Sequence, residues 1–145
     1  MPTHSEQRHL PHSPQQLFDL VADIRSYPEF LPWCRGARIR SQTETEVVAD
    51  LIIGFKGITE RFTSRVKLDR ENLAIHVTYE DGPFKYLNNH WKFLPGEAPG
   101  SCTIDFYVDF EFRSRLLQKM IEFLFEEAVR RMVAAFETRA KQLYG

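Results

Sequence analysis

Five histidines, two cysteines and twenty side-chain carboxylates are what this 145-residue chain has for acid–base, nucleophilic or metal chemistry. A reactive centre would appear as a nucleophile beside a base, a carboxylate pair, or a cluster at metal-ligand spacing. His4, His9, His12, His76 and His90 form no such spacing with cysteines or carboxylates, and His76 has the solvent parity of its segment. Cys34 and Cys102 make no metal or redox motif and read as reduced thiols in a cytosolic setting. Gly54-x-x-Gly57 is too short to cradle a phosphate and reads as a hairpin turn. There is neither a Ser-His-Asp nor a Cys-His grouping. These residues predict a protein that is not an enzyme and requires no metal.

Binding chemistry is better provided for. Glu60 and Ser64 share the parity of Phe62, Val66 and Leu68, and Asn89 shares that of Leu87, Trp91 and Phe93. A buried polar group without a partner costs about 1–3 kcal/mol, so each needs a reason. One reading has Glu60 reaching water near a strand end and Ser64 bonding to backbone. The other makes them the few polar groups that orient a mostly apolar ligand. Phe30, Trp33, Phe62, Trp91, Phe106 and Phe110 carry the same two readings, as core or as cavity wall.

The elements that would hold these residues follow from period and punctuation. His4 to Leu10 suits a first strand. Ser13-Pro14-Gln15-Gln16 starts a helix, with Ser13 as N-cap, Pro14 in the first turn and Gln16 closing a capping box. Tyr27-Pro28-Glu29-Phe30-Leu31-Pro32-Trp33-Cys34 then leaves room for only a second short helical turn, because proline disfavours helix in the residue before it. Its aromatic bulk makes it a plug, with Phe30 and Trp33 as the expected inward rings. From about 37 to 112 the apolar period is two, predicting antiparallel strands near 36–43, 46–54, 58–69, 72–80, 86–94 and 101–112. A helix from about Ser114 to Tyr144 ends the chain, about 45 Å long at 1.5 Å per residue. The expected architecture is α+β: a curved antiparallel sheet of about seven strands around a long C-terminal helix, with two short helices after the first strand. That is the helix-grip fold.

The last helix changes character along its length. Leu117, Ile121 and Phe125 begin an apolar stripe that Ala128, Val129, Met132, Val133 and Phe136 continue. In the first half only, Leu116, Met120, Phe123 and Leu124 widen it round the cylinder, which fits either burial in a contact or a cavity mouth that meets a membrane. Charge is uneven too. Residues 54–70 hold Lys56, Arg61, Arg65, Lys67 and Arg70 against Glu60 and Asp69, whereas residues 97–112 hold Glu97, Asp105, Asp109 and Glu111 with no base. A solvated strand face accounts for this, and a basic edge would also favour anionic lipid headgroups.

Length and balance set the frame. One domain over 1–145 is expected, and a formal charge of −1 argues against DNA or RNA as the main partner. No apolar run reaches the roughly 20 residues that span a bilayer, and Met1 to Arg8 lacks the apolar core of a secretory signal.

Five segments together resemble a known family. They are Tyr27-Pro-x-Phe-x-Pro-Trp-Cys34, Phe62-Thr-Ser-Arg-Val66, and Asp81-Gly-Pro-Phe-Lys-Tyr-Leu87 with Trp91-Lys-Phe93. With them go Phe110-Glu-Phe-Arg-Ser114 and Ala135-Phe-Glu-x-Arg-Ala140 with Leu143-Tyr-Gly145. The chain resembles, over residues 3–145, the coenzyme Q-binding proteins of the START-like, polyketide-cyclase-type superfamily. The resemblance implies a cavity that takes the head and proximal isoprenes of ubiquinone or another polyprenyl lipid, with ubiquinone as ligand rather than cofactor. It implies a carrier or chaperone for respiratory electron transport and quinone biosynthesis, cytoplasmic and peripheral to the inner membrane, which it touches transiently. The expected cavity lining is Phe30, Trp33, Glu60, Phe62, Ser64, Leu87, Asn89, Trp91, Phe106, Val108, Phe110, Leu117, Ile121 and Phe125. Leu116, Met120, Phe123 and Leu124 are expected at the mouth, where the lipid tail would leave. The same family includes ribosome-association toxin-like proteins that bind the large ribosomal subunit, for which Arg61, Arg65 and Lys67 offer a basic face. The wider superfamily holds polyketide cyclases and aromatases. For that reading Glu60 is the one carboxylate of suitable parity.

Overall fold

Alternating apolar residues make each strand two-faced, and seven such strands pair into one antiparallel sheet that needs a cover on its apolar side. The computed structural model describes residues 3–55 and 57–145. The strands are β1 (Thr3–Leu10), β2 (Cys34–Gln42), β3 (Glu46–Phe55), β4 (Ile58–Asp69), β5 (Ala74–Asp81), β6 (Phe84–Pro95) and β7 (Cys102–Phe112), in the order β1-β7-β6-β5-β4-β3-β2. The helices are α1 (Pro14–Ala22) and α2 (Arg115–Tyr144), with a 3-10 turn at Ile24–Glu29. The helix-grip architecture expected above is the one observed.

Local chemistry explains the element ends. The Ser13 hydroxyl accepts from the Gln16 N–H, and the Ser13 N–H donates to the Gln16 side chain, completing the capping box. Ser114 caps α2 by accepting from the Leu117 N–H. β2 begins two residues earlier than its period suggests, and a register shift between Cys34 and Gly36 is the reason. β6 begins at Phe84 rather than 86, with a shift between Phe84 and Tyr86. Further shifts at Ile39/Ser41 and Thr63/Ser64 add the local twist that curves the sheet. β5 starts at Ala74 because residues just before it turn, with Asp69 accepting from the Asn72 backbone and side chain.

β1 and β2 lie on opposite edges of the sheet, so α1 and the 3-10 turn must carry the chain across one end of it. There Leu17, Phe18, Leu20 and Val21 are buried, with the Phe18 ring edge-on to Phe93 at 5.8 Å. The C-terminal half of α2 packs over the same end through Val129, Phe136 and Ala140. It is also tied to β1 by an ion pair between Arg8 and Glu137. On the outer face of the sheet Asp50 and Thr63 are buried and hydrogen-bonded, and the exposed Arg40 pairs with Asp50. Burial alone would raise the Asp50 carboxyl, but hydrogen bonds from Thr63 and Arg40 outweigh it and hold it below the usual carboxylate range.

Candidate functional site

Since α1 and the second half of α2 close one end of the curved sheet, the other end is left to the first half of α2. Among the described residues, α2 has no buried side chain before Val129. Beneath that stretch lies a cavity of about 300 Å³. Its sheet wall comes from β3 to β7, its roof from Leu117, Met120, Ile121, Leu124 and Phe125, and its inner end from Ile24, Ile75, Trp91 and Phe136.

Of the expected lining, Trp33, Glu60, Phe62, Ser64, Leu87, Asn89, Trp91, Phe106, Val108, Phe110, Leu117, Ile121 and Phe125 all border this cavity. Phe30, expected inward, does not. Its ring packs on Tyr27 at 6.0 Å and Phe136 at 5.3 Å, under the Arg139 guanidinium, while Arg139 also pairs with Glu29. The plug turns its other residues inward instead: Tyr27, Leu31 and Cys34 join Trp33 in the wall. The Tyr27 hydroxyl donates to the Val21 carbonyl, and burial raises its pKa strongly. Cys34 and Cys102 are buried free thiols, and burial pushes Cys102 up to about 11, away from reactive thiolate.

The four residues assigned to the mouth divide. Met120 and Leu124 line the cavity, whereas Leu116 and Phe123 point outward, 68% and 91% exposed. Phe84 also lines the cavity against the parity of Leu87, because the shift between Phe84 and Tyr86 breaks the alternation, and Phe112 lines it with the parity of Phe106 and Phe110.

Polar groups in the wall are few and differently engaged. Asn89 is occupied on both sides, accepting from the Trp91 indole at 2.9 Å and donating to the Tyr107 carbonyl at 2.8 Å. Ser64 is only 2% exposed, and no side-chain hydrogen bond to it is found among the described residues. Glu60 has no ion pair or hydrogen bond among them either, and the Trp33 indole N–H is buried without an acceptor. No group of three or more His, Cys, Asp or Glu among the described residues is placed to hold a metal. His76 and His90 do meet on the outer face, with Nδ1 atoms 2.7 Å apart, far from the cavity side of the sheet.

The basic strand face is less free than its sequence suggests. Arg65 is held by Glu46 and Glu80, and Arg70 lies 3.7 Å from Asp19. Arg61 and Lys67 are exposed and without ion pairs among the described residues, and Lys56 lies outside them. No helix among the described residues is long and apolar enough to cross a membrane.

A curved sheet gripping a long helix around an apolar cavity defines a START-like ligand-binding fold. The chain belongs to the polyketide cyclase / dehydrase and lipid transport family, whose model matches residues 10–137. It is 42% identical to the ribosome association toxin RatA of Rickettsia prowazekii, over 92% of each chain. It is 35% identical to the mitochondrial coenzyme Q-binding protein COQ10 homolog B of Xenopus laevis, over 98% of this chain and 59% of that one. Among solved structures it is similar to the 18 kDa protein CC1736 of Caulobacter crescentus, at 38% identity and a TM-score of 0.79 over 100% of this chain and 99% of that one. The Zhui aromatase/cyclase of Streptomyces shares the fold alone, at 16% identity and a TM-score of 0.85 over 97% and 94% of the two chains.

Proposed function

We propose that this chain is a non-enzymatic carrier of an uncharged amphipathic lipid, with a polyprenyl quinone as the ligand class. The observation that carries this reading is a cavity of about 300 Å³ whose wall is apolar but for Glu60, Ser64, Asn89 and the polar tips of Trp33, Tyr27 and Cys34. Such a space suits a ring and its first isoprenes, and a longer tail would leave past Met120 and Leu124. The coenzyme Q-binding relative supports the ligand class. Exposed Leu116 and Phe123, with Arg115 and Lys119 on the same stretch of helix, suit transient contact with the anionic cytoplasmic surface of the inner membrane. Protein purified from a quinone-making host is expected to yield quinone on solvent extraction and mass spectrometry. No quinone in the extract, together with no binding of added quinone, would overturn the reading.

The second reading is association with the large ribosomal subunit, and the named relatives weigh more heavily for it than for quinone carriage. RatA sequences match at up to 42% identity over nearly the whole chain. The surface that fits is the outer face of β4, where Arg61 and Lys67 are the cations left without ion pairs among the described residues. Cosedimentation with large subunits, lost in Arg61→Glu with Lys67→Glu and retained when the cavity is altered, is the expected result. A cyclase reading is disfavoured by chemistry: Glu60 is the single carboxylate in the wall, with no acid–base partner beside it among the described residues.

A further inference from the structure

Polarity is graded along the cavity in a way that bears on which form of a ligand it takes. On the concave face of β4 the series Glu60, Phe62, Ser64, Val66, Leu68 runs from the open end toward the closed one. Leu68 pairs with Ile75 beneath the closed end, and Glu60 pairs with Ile53 beside the β3–β4 turn. Glu60 and Ser64 are four residues apart, about 13 Å along the strand at 3.3 Å per residue. Phe62 stands between them on the same face, so an aromatic ring stacked on it would turn one edge toward Glu60 and the other toward Ser64.

The two flanking groups differ in what they accept. Ser64 is buried with its hydroxyl unengaged among the described residues, and it both donates and accepts. An ionised Glu60 only accepts. The carbonyl oxygens of an oxidised quinone also only accept, so they meet the carboxylate with repulsion. The hydroxyls of the reduced ring donate to it, and such charge-assisted bonds are roughly twice as strong as neutral ones. Asn89 does not relieve this at the Glu60 end: Trp91 and Tyr107 hold its amide, and its pairing with Val77 puts it level with Val66, six residues along β4 from Glu60.

We propose that the cavity selects the reduced, hydroxyl-bearing form of a prenylated aromatic ring over the oxidised form. Glu60 accepts a hydrogen bond from one hydroxyl, and Ser64 engages the oxygen on the opposite side. The proposal rests on the lipid-carrier reading and adds a redox preference to it. No electron transfer by the protein is involved.

The test titrates a short-chain alkyl benzoquinone, and separately its hydroquinone under nitrogen with excess dithionite, into the wild-type chain and two variants. Binding is read by calorimetry and by fluorescence of Trp33 and Trp91, both in the cavity wall. The wild type is expected to bind the hydroquinone about ten-fold more tightly. Glu60→Gln should bring the ratio near one, because the Gln amide also donates to a carbonyl. Ser64→Ala should weaken both forms and leave the ratio standing. Equal affinities in the wild type, or a ratio unchanged in Glu60→Gln, overturn the redox preference and leave the carrier reading intact. Failure of both forms to bind the wild type overturns the carrier reading and the redox preference together.

Discussion

At the scale of single residues, His90, which meets His76 on the outer face, is the clearest titrating feature. Burial, with His76 and Lys92 nearby, holds the His90 imidazole below its ordinary value of 6.5. The unfolded chain therefore binds more protons than the folded one below that pH, so stability falls as pH drops through 6.5 and levels off beneath the folded pKa. Denaturant midpoints measured across this range should show that slope, and His90→Asn should flatten it. An unchanged slope would mean that the pair is not its source. Single residues also mark how far sequence reasoning reaches. Strand parity placed Ser64 and Asn89 inward correctly. It could not reveal that Asn89 is occupied, because its partner Tyr107 lies eighteen positions away and is brought close only by the β6–β7 pairing. Phe30 was assigned inward because a proline-interrupted turn has no period from which to read a face. The outcome was settled by Arg139 and Phe136, more than a hundred residues on.

Among elements, the β5–β6 connection and the first half of α2 frame the open end of the cavity. Gly82 has φ +144, and a Cβ there would meet the Phe62 Cβ at 2.6 Å and its Cα at 2.9 Å. The turn thus lies directly on β4, where only glycine lets two backbones come so close. Gly82→Ala is expected to cost about 1–3 kcal/mol, read from a denaturant melt, and to weaken ligand binding through displaced Phe62. For α2 the expected outcome is the opposite. Leu116→Asp with Phe123→Asp removes exposed apolar surface, so stability should change by no more than about 0.5 kcal/mol. Cosedimentation with anionic vesicles should be lost, and binding that survives the double change would place the membrane contact elsewhere. The helical period made this half of α2 visible as unusually apolar. Which of its residues face the cavity and which face outward depends on how α2 lies over β7, and the period alone does not fix that rotation.

For the whole molecule, the element order and the helix-grip packing were legible because each strand carries a clean period of two and each helix a distinct start. Ser13 caps α1 as its capping-box context suggests, and Ser114, the expected start of the last helix, caps α2. Strand limits drifted by two residues where bulges intervene, at Gly36 and Tyr86, since an inserted residue leaves no mark in the hydrophobic pattern. Ligand and ribosome readings occupy different faces, the concave side and the outer side of β4, so variants on one need not disturb the other. The sheet order has a further consequence for how the chain is made. β1 pairs with β7, joining Thr3 to Asp109, so β1 must wait for a strand made about a hundred residues later. At about 5–20 residues per second that wait is several seconds or more, during which an unpaired strand invites wrong partners. β1 reads Thr-His-Ser-Glu-Gln-Arg-His-Leu, with one aliphatic residue at its end. So polar a strand is poorly suited to self-association, which makes the unpaired edge of β1 a weak template for wrong partners until β7 arrives.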